Sequence, residues 1–118
     1  MIKEIAFTCY PVTDMKRARA FYEGILGLVP DHRPDGDSEF WVEYSIGSGA
    51  FALGKMDGFV PNAEGACLGF EVDDFPATIA KLEAAGISFN VKPFETPVCF
   101  MASLKDPEGN SVMVHKRK

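Results

Sequence analysis

The chain has 118 residues, of which 47% are hydrophobic and 25% are charged, a balance that is typical of a single globular domain. Its formal net charge of -5 argues against a nucleic-acid partner, because binding to phosphates depends on lysine and arginine. No apolar run approaches the ~20 residues of a membrane span, and the first residues lack the features of a signal peptide, so the sequence predicts a cytoplasmic protein without a membrane partner.

The first half of the chain predicts a strand, a helix and three further strands. Residues 4–10 alternate between apolar and polar side chains and predict the first strand. The helix is predicted to start near Met15, with Thr13 or Asp14 as its N-cap, and to stop at Gly27, because glycine tolerates the left-handed conformation that ends helices. The remaining strands of this half are predicted at 28–33, 40–46 and 50–56.

The second half repeats this order, and six positions of the first half are matched about 60 residues later. The matched positions are Phe7, Val12, Asp14, Met15, Ala20 and Gly27, which correspond to Cys67, Val72, Asp74, Phe75, Ala80 and Gly86. A helix is predicted at 75–85, strands at 66–72, 88–92, 98–105 and 111–116, and a tight turn at 106–110. The repeat therefore predicts one domain, 1–118, built from two modules at about 1–57 and 66–118 that are joined by loop 58–65.

The three cysteines, Cys9, Cys67 and Cys99, are odd in number and share no CxxC spacing. All three lie in apolar, alternating segments. Buried, reduced thiols are therefore predicted rather than a disulfide framework.

Several motifs of the chain resemble those of a known superfamily. They are VTDM at 12–15, AFY at 20–22, LGL at 26–28, GFEVDD at 69–74 and DPEGN at 106–110. In this order and spacing they resemble the vicinal oxygen chelate superfamily, which includes glyoxalase I, bleomycin-resistance proteins, fosfomycin-resistance enzymes and extradiol dioxygenases. The resemblance implies an α+β fold of two βαβββ modules, whose curved mixed sheets surround a cleft, and commonly a homodimer.

The resemblance also implies where a divalent metal would be held, because relatives use histidine or glutamate side chains from four strands. These positions correspond to Phe7, Ala52, Cys67 and Met113, and none of them is histidine, aspartate or glutamate. Phenyl and methyl groups are not metal ligands. No metal and no cofactor are therefore predicted, and the alternative is a soft ion such as Cu(I) held by Cys67 and Met113 with His115.

In place of a metal site, the sequence predicts an apolar pocket for a flat, apolar or aromatic small molecule. Phe7 and Trp41 would stack on the ligand, while Met101 and Met113 would adapt to its shape. The predicted ligand-binding residues are Phe7, Cys9, Trp41, Glu43, Ala52, Cys67, Met101, Met113 and His115.

Three functions remain open. The first is metal-independent binding of a small molecule. The second is a glyoxalase-like or dioxygenase-like enzyme in which His115, Glu43 or a cysteine such as Cys67 acts as acid, base or nucleophile. The third is a non-catalytic dimeric interaction module whose cleft is filled by its own side chains. His32 is predicted to be an exposed histidine of a polar loop, outside any site.

Overall fold

The computed structural model describes residues 1, 3, 5–31 and 39–118, and the loop histidine His32 lies outside these described residues. The described chain divides into two units, Met1–Pro61 and Asn62–Lys118. Each unit combines helical structure with one mixed β-sheet, of three strands in the first unit and four in the second. The predicted α+β fold class is confirmed.

The first unit contains β1 (Thr8–Pro11), α1 (Met15–Arg19), β2 (Trp41–Ile46) and β3 (Gly49–Gly54). Helix α1 continues directly into a π-helical segment, Ala20–Ile25. The strand order in the sheet is β1-β3-β2, with β1 parallel and β2 antiparallel to β3.

Both ends of this helical segment follow the sequence signals. The Asp14 carboxylate accepts a hydrogen bond from the Arg17 backbone N–H at 3.0 Å, which satisfies one of the free donors of the first turn. At the other end Gly27 has a positive φ of 77°, and the Leu28 N–H donates to the Tyr22 carbonyl at 2.9 Å. The predicted cap and stop are confirmed.

The core of the first unit lies between the helical segment and one face of the sheet. Tyr22 and Phe51 are buried with their ring centroids 5.0 Å apart, and Tyr44 is also buried. The Tyr44 hydroxyl donates to Glu23 at 2.7 Å, and Glu23 is also paired with Arg19. Burial, together with the hydrogen bond to Glu23, raises the pKa of Tyr44 above its usual value.

The strand predicted at 28–33 is wrong for its described residues, 28–31, which have no strand structure. Asp31 explains the difference. Its carboxylate accepts hydrogen bonds from the Ser45 backbone N–H at 3.0 Å and the Ser45 hydroxyl at 2.9 Å. The Asp31 backbone N–H also donates to the Glu43 carbonyl at 2.9 Å, but the Ser45 donor is taken by a side chain, so the contact with β2 is not a regular backbone ladder.

The second unit contains β4 (Leu68–Glu71), α2 (Phe75–Ala84), β5 (Phe89–Glu95), β6 (Cys99–Lys105) and β7 (Ser111–Arg117). The strand order is β4-β7-β6-β5. Strand β4 is parallel to β7, and the other neighbours are antiparallel.

Helix α2 repeats the capping of α1. The Asp74 carboxylate accepts a hydrogen bond from the Ala77 N–H at 2.9 Å, and Gly86 has the same φ of 77° as Gly27. Leu82 on α2 is fully buried, as are four side chains of β6 and β7. These four are Ala102, Leu104, Val112 and Val114.

The turn between β6 and β7 is held by two buried polar residues, Asp106 and Asn110. One oxygen of Asp106 accepts from the backbone N–H groups of Glu108 and Asn110, both at 2.9 Å, and the other accepts from the Asn110 amide at 3.1 Å. Gly109 has a φ of 94°, a conformation that favours glycine. The predicted turn at 106–110 is confirmed.

All three cysteines have free thiols, but they differ in burial. Cys99 is buried and Cys9 is half-buried, whereas Cys67 is exposed. The predicted burial is therefore wrong for Cys67. Cys67 lies just before β4, the edge strand of its sheet, and the only neighbouring strand of β4, β7, pairs with it from Leu68 onward. Cys67 is therefore exposed because β7 does not flank it.

Candidate functional site

Several of the predicted site residues share one face of the first sheet. Cys9 and Glu43 both pair with Ala52, and Trp41 pairs with Gly54, so these side chains lie on the same side of the sheet. Phe7 precedes Cys9 by two residues and joins this side by the alternation of a strand. We call this surface the aromatic face; it consists of Phe7, Cys9, Trp41, Glu43, Ala52 and Gly54.

The aromatic face is dominated by Phe7 and Trp41. Their rings meet edge to face, with centroids 5.4 Å apart and an interplanar angle of 83°. The indole N–H of Trp41 donates to Glu43 at 3.0 Å, which holds the ring in one orientation. Phe7 nevertheless remains 46% exposed, so the pair presents aromatic surface that the described chain does not cover.

Gly54 makes this arrangement possible, although the sequence analysis did not single it out. A Cβ atom at this position would lie 3.0 Å from the Trp41 ring and 3.1 Å from the Cys9 sulfur. The indole therefore crosses β3 where no side chain obstructs it. A glycine inside an apolar strand is the signal that could have identified this position.

Replacing Gly54 with valine is expected to lower the free energy of unfolding by about 1–3 kcal/mol, because the new side chain overlaps a rigid indole. Chemical denaturation would measure this change. Gly69→Val in β4 is the matched control, since a Cβ at Gly69 meets no atom within 4 Å and should leave stability nearly unchanged. Equal losses in the two variants would contradict the role of Gly54.

The thiol of the aromatic face is a poor nucleophile. Burial, and secondarily the charge of Glu43, raises the pKa of Cys9 to about 11. Although Cys67 in the second unit is exposed, partial desolvation of its thiol also raises its pKa. Because the thiolate is the reactive form, both side chains stay protonated and weakly reactive near neutral pH.

The other predicted site residues share one face of the second sheet. Met113 on β7 pairs with Gly69 and with Ser103, while His115 pairs with Glu71 and with Met101. Cys67 precedes Gly69 by two residues and lies on the same side. We call this surface the histidine face; it consists of Cys67, Gly69, Glu71, Met101, Ser103, Met113 and His115.

On the histidine face, His115 is held by Glu71, a residue that sequence analysis missed. The Nδ1 atom of His115 lies 2.5 Å from one oxygen of Glu71, and the other oxygen accepts from the Arg117 backbone N–H at 2.7 Å. These hydrogen bonds, that of Arg117 first, lower the pKa of Glu71. Glu71 and His115 are 44 residues apart, so only the parallel pairing of β4 with β7 brings them together.

The residues present do not fit a divalent metal of the kind that the resemblance implies. The four corresponding positions carry the side chains of Phe7, Ala52, Cys67 and Met113, which offer no imidazole or carboxylate. Within residues 1, 3, 5–31 and 39–118, no group of three or more His, Cys, Asp or Glu side chains could hold a metal ion.

Two hollows of the first unit are lined by residues other than those of the aromatic face. One, of about 430 Å³, runs along the helical segment at Met15, Arg19 and Glu23. The other, of about 530 Å³, lies at Phe40 and Met56. None of the nine predicted ligand-binding residues lines either hollow, and the predicted residues instead lie on the two sheet faces.

Comparison of the sequence with known families identifies the chain. The Glyoxalase/Bleomycin resistance protein/Dioxygenase superfamily matches residues 4–114, which is nearly the whole chain. The chain therefore belongs to this superfamily, as the motifs predicted. No curated protein sequence matches it.

Solved structures share the fold. A glyoxalase/dioxygenase from Nostoc punctiforme is 17% identical with a TM-score of 0.81, over 98% of this chain and 92% of that chain. TnmS3, an antibiotic binding protein from Streptomyces sp. CB03234, is 22% identical with a TM-score of 0.71, over 99% and 98%. Lactoylglutathione lyase from Agrobacterium tumefaciens is also 22% identical with a TM-score of 0.71, over 98% and 94%. At these identities the likeness establishes the fold alone.

The comparisons leave the activity open, because structures of one fold include both a binding protein and a lyase. In the described part of the chain, no helix has the length and apolar character needed to span a membrane.

Proposed function

We propose that the protein binds a flat, apolar or aromatic small molecule without a metal ion. One observation carries the proposal: an oriented and partly exposed pair of aromatic rings, Phe7 and Trp41, occupies the aromatic face. Phe7 is also the first of the positions at which metal-binding relatives are expected to carry a ligand. At that position this chain offers apolar contact in place of a metal ligand.

The geometry of the aromatic face suits a planar ligand. Edge-to-face rings leave one ring face available for an offset or perpendicular partner. Such aromatic contacts contribute about 0.5–1.5 kcal/mol of binding free energy beyond that of the buried apolar area. Ala52 and Gly54 are both buried, and the Trp41 ring lies over Gly54, so a ligand would contact the rings rather than the sheet beneath them. Glu43 lies at the edge of this surface, where its carboxylate can also accept a hydrogen bond from a ligand.

The histidine face has a similar character in the second unit. Met113 and Met101 are half-buried, and their flexible thioether side chains adapt to irregular apolar shapes. Cys67 and His115 complete the predicted set on this face. We propose that the histidine face, by itself, offers apolar and polar contacts to a ligand of the same class.

Binding without a metal is supported by the side chains at the four positions given by the resemblance, which include no histidine, aspartate or glutamate. It is not supported by the relatives, which differ in activity. TnmS3 is an antibiotic binding protein, which is consistent with a binding function on this fold. Lactoylglutathione lyase has the same fold and favours the enzymatic alternative. The homodimer and the cytoplasmic location implied by the sequence stay predictions.

Naphthalene is expected to bind the protein, to change the fluorescence of Trp41 and to raise the melting temperature. Trp41 is the single tryptophan of the chain, so its emission reports directly on the aromatic face. At ten times Kd the ligand stabilises by about 1.4 kcal/mol, which corresponds to roughly 3–6 °C for a domain of this size. Treatment with EDTA should leave the affinity unchanged.

Decalin is the matched control, because it has two fused rings of similar size but is not planar. It should bind more weakly than naphthalene. Loss of naphthalene binding after EDTA treatment would contradict metal independence, and turnover of oxo-aldehydes would favour the enzymatic alternative. Absence of binding by both probes would favour the interaction module with a filled cleft.

A further inference from the structure

The Glu71 and His115 pair has a defined direction of hydrogen bonding. An ionised carboxylate only accepts hydrogen bonds, and the lowered pKa of Glu71 keeps it ionised near neutral pH. One of its oxygens is used by the Arg117 N–H, and the other lies against Nδ1 of His115. The proton of a neutral His115 must therefore be on Nδ1, and Nε2 is left as an acceptor.

The position of Nε2 makes it available to a ligand. Nε2 is at the tip of the imidazole ring, farther from the backbone than Nδ1, and the His115 side chain is 27% exposed. Glu71 fixes the ring from the neighbouring strand, so the acceptor is held in place before a ligand arrives. Such preorganisation lowers the entropy cost of binding.

The surroundings of this acceptor are apolar and open. Gly69 is two residues before Glu71 on β4 and pairs with Met113, and a Cβ at Gly69 would meet no atom within 4 Å. No atom of residues 1, 3, 5–31 or 39–118 therefore fills the side-chain space next to Gly69. Met113 and Met101 lie beside it on the next two strands. Nε2 of His115 is thus an oriented polar atom beside the apolar surface of Gly69, Met101 and Met113.

We propose that Nε2 of His115 accepts a hydrogen bond from the hydroxyl group of a flat ligand, so that the ligand class is a phenol or enol. This inference rests on the proposed function, the binding of a flat ligand without a metal ion, and adds the group that the histidine face selects. A hydroxyl fits better than a carboxylate, because an ionised carboxylate only accepts hydrogen bonds and cannot donate one to Nε2. Glu71 is a positioning residue that acts through His115.

The tautomer of His115 tests the inference without any ligand. Nitrogen NMR of the full chain is expected to show His115 protonated on Nδ1 and unprotonated on Nε2. The chain has only two histidines, so His32→Ala assigns the signals. In Glu71→Gln the side chain can donate as well as accept, and the fixed tautomer should be lost. Protonation on Nε2 in the neutral ring of the wild-type protein would overturn the inference.

Matched probes test the ligand class. The wild-type protein is expected to bind 2-naphthol about tenfold more tightly than 2-methoxynaphthalene, because the methoxy group cannot donate a hydrogen bond. His115→Phe should abolish this preference, so that the variant binds the two probes with equal affinity. Isothermal titration calorimetry would measure all four affinities, with naphthalene as a reference for the effect of size.

The outcomes distinguish the inference from the function on which it rests. Equal binding of the two substituted probes by the wild-type protein, or an undiminished preference in His115→Phe, would overturn the hydroxyl site and leave the proposed function intact. Failure of naphthalene and both substituted probes to bind would overturn the proposed function, and the ligand class with it.

Discussion

Replacing Trp41 with alanine is expected to weaken the binding of naphthalene about 30-fold or more. A central aromatic residue of a binding surface typically contributes at least about 2 kcal/mol, which corresponds to this factor. Trp41 provides the larger ring of the pair with Phe7, and its N–H is held by Glu43 at 3.0 Å, so the ring is already oriented before binding. Calorimetric titration would measure the affinity.

Two further variants separate this effect from a general loss of aromatic surface. Trp41→Phe keeps a ring but loses the N–H donor, and its affinity should fall less. Phe40→Ala removes an aromatic side chain that is 55% exposed and lies at a different hollow, so it should leave the affinity unchanged. If Trp41→Ala binds naphthalene as tightly as the wild-type protein, the ligand binds elsewhere.

Replacing Asp106 with alanine is expected to lower the free energy of unfolding by about 3–5 kcal/mol. The substitution leaves the N–H groups of Glu108 and Asn110 and the Asn110 amide without this acceptor, and Asn110 is only 2% exposed. Buried donors that lose a charged acceptor each cost about 1–3 kcal/mol, although such losses are not fully additive. Urea denaturation would measure the change.

Asp74→Ala is the matched control for Asp106→Ala. It removes the same carboxylate from an exposed helix N-cap, where one hydrogen bond to Ala77 is lost and water can replace it. We expect a cost of about 1 kcal/mol there. A similar cost at both positions would show that the buried turn does not depend on Asp106.

Much of the fold could be predicted because its signals are local. A carboxylate before each helix, at Asp14 and Asp74, and a glycine after each, at Gly27 and Gly86, place the helix ends within a few residues. The strand predicted at 28–33 is wrong for residues 28–31. There the Asp31 carboxylate accepts hydrogen bonds from the Ser45 N–H and hydroxyl, an interaction that alternation in sequence does not reveal.

The candidate site was only partly accessible to sequence analysis. Met113 and His115 lie on one face of β7, as their spacing of two residues in a strand requires. The roles of Gly54 and Glu71 were missed, because each depends on the neighbouring strand. Gly54 matters through the Trp41 ring, and Glu71 matters through His115.

Residue identity and local backbone preference were enough to predict the helix caps, the glycine stops and the tight turn at 106–110. Residue identity also showed that the four positions given by the resemblance carry no histidine, aspartate or glutamate. These features depend on a few neighbouring residues or on side-chain chemistry alone. The crossing of Trp41 over Gly54 and the pairing of Glu71 with His115 were decided by strand register. Register joins residues far apart in sequence, and it follows from the packing of a whole sheet rather than from any short segment.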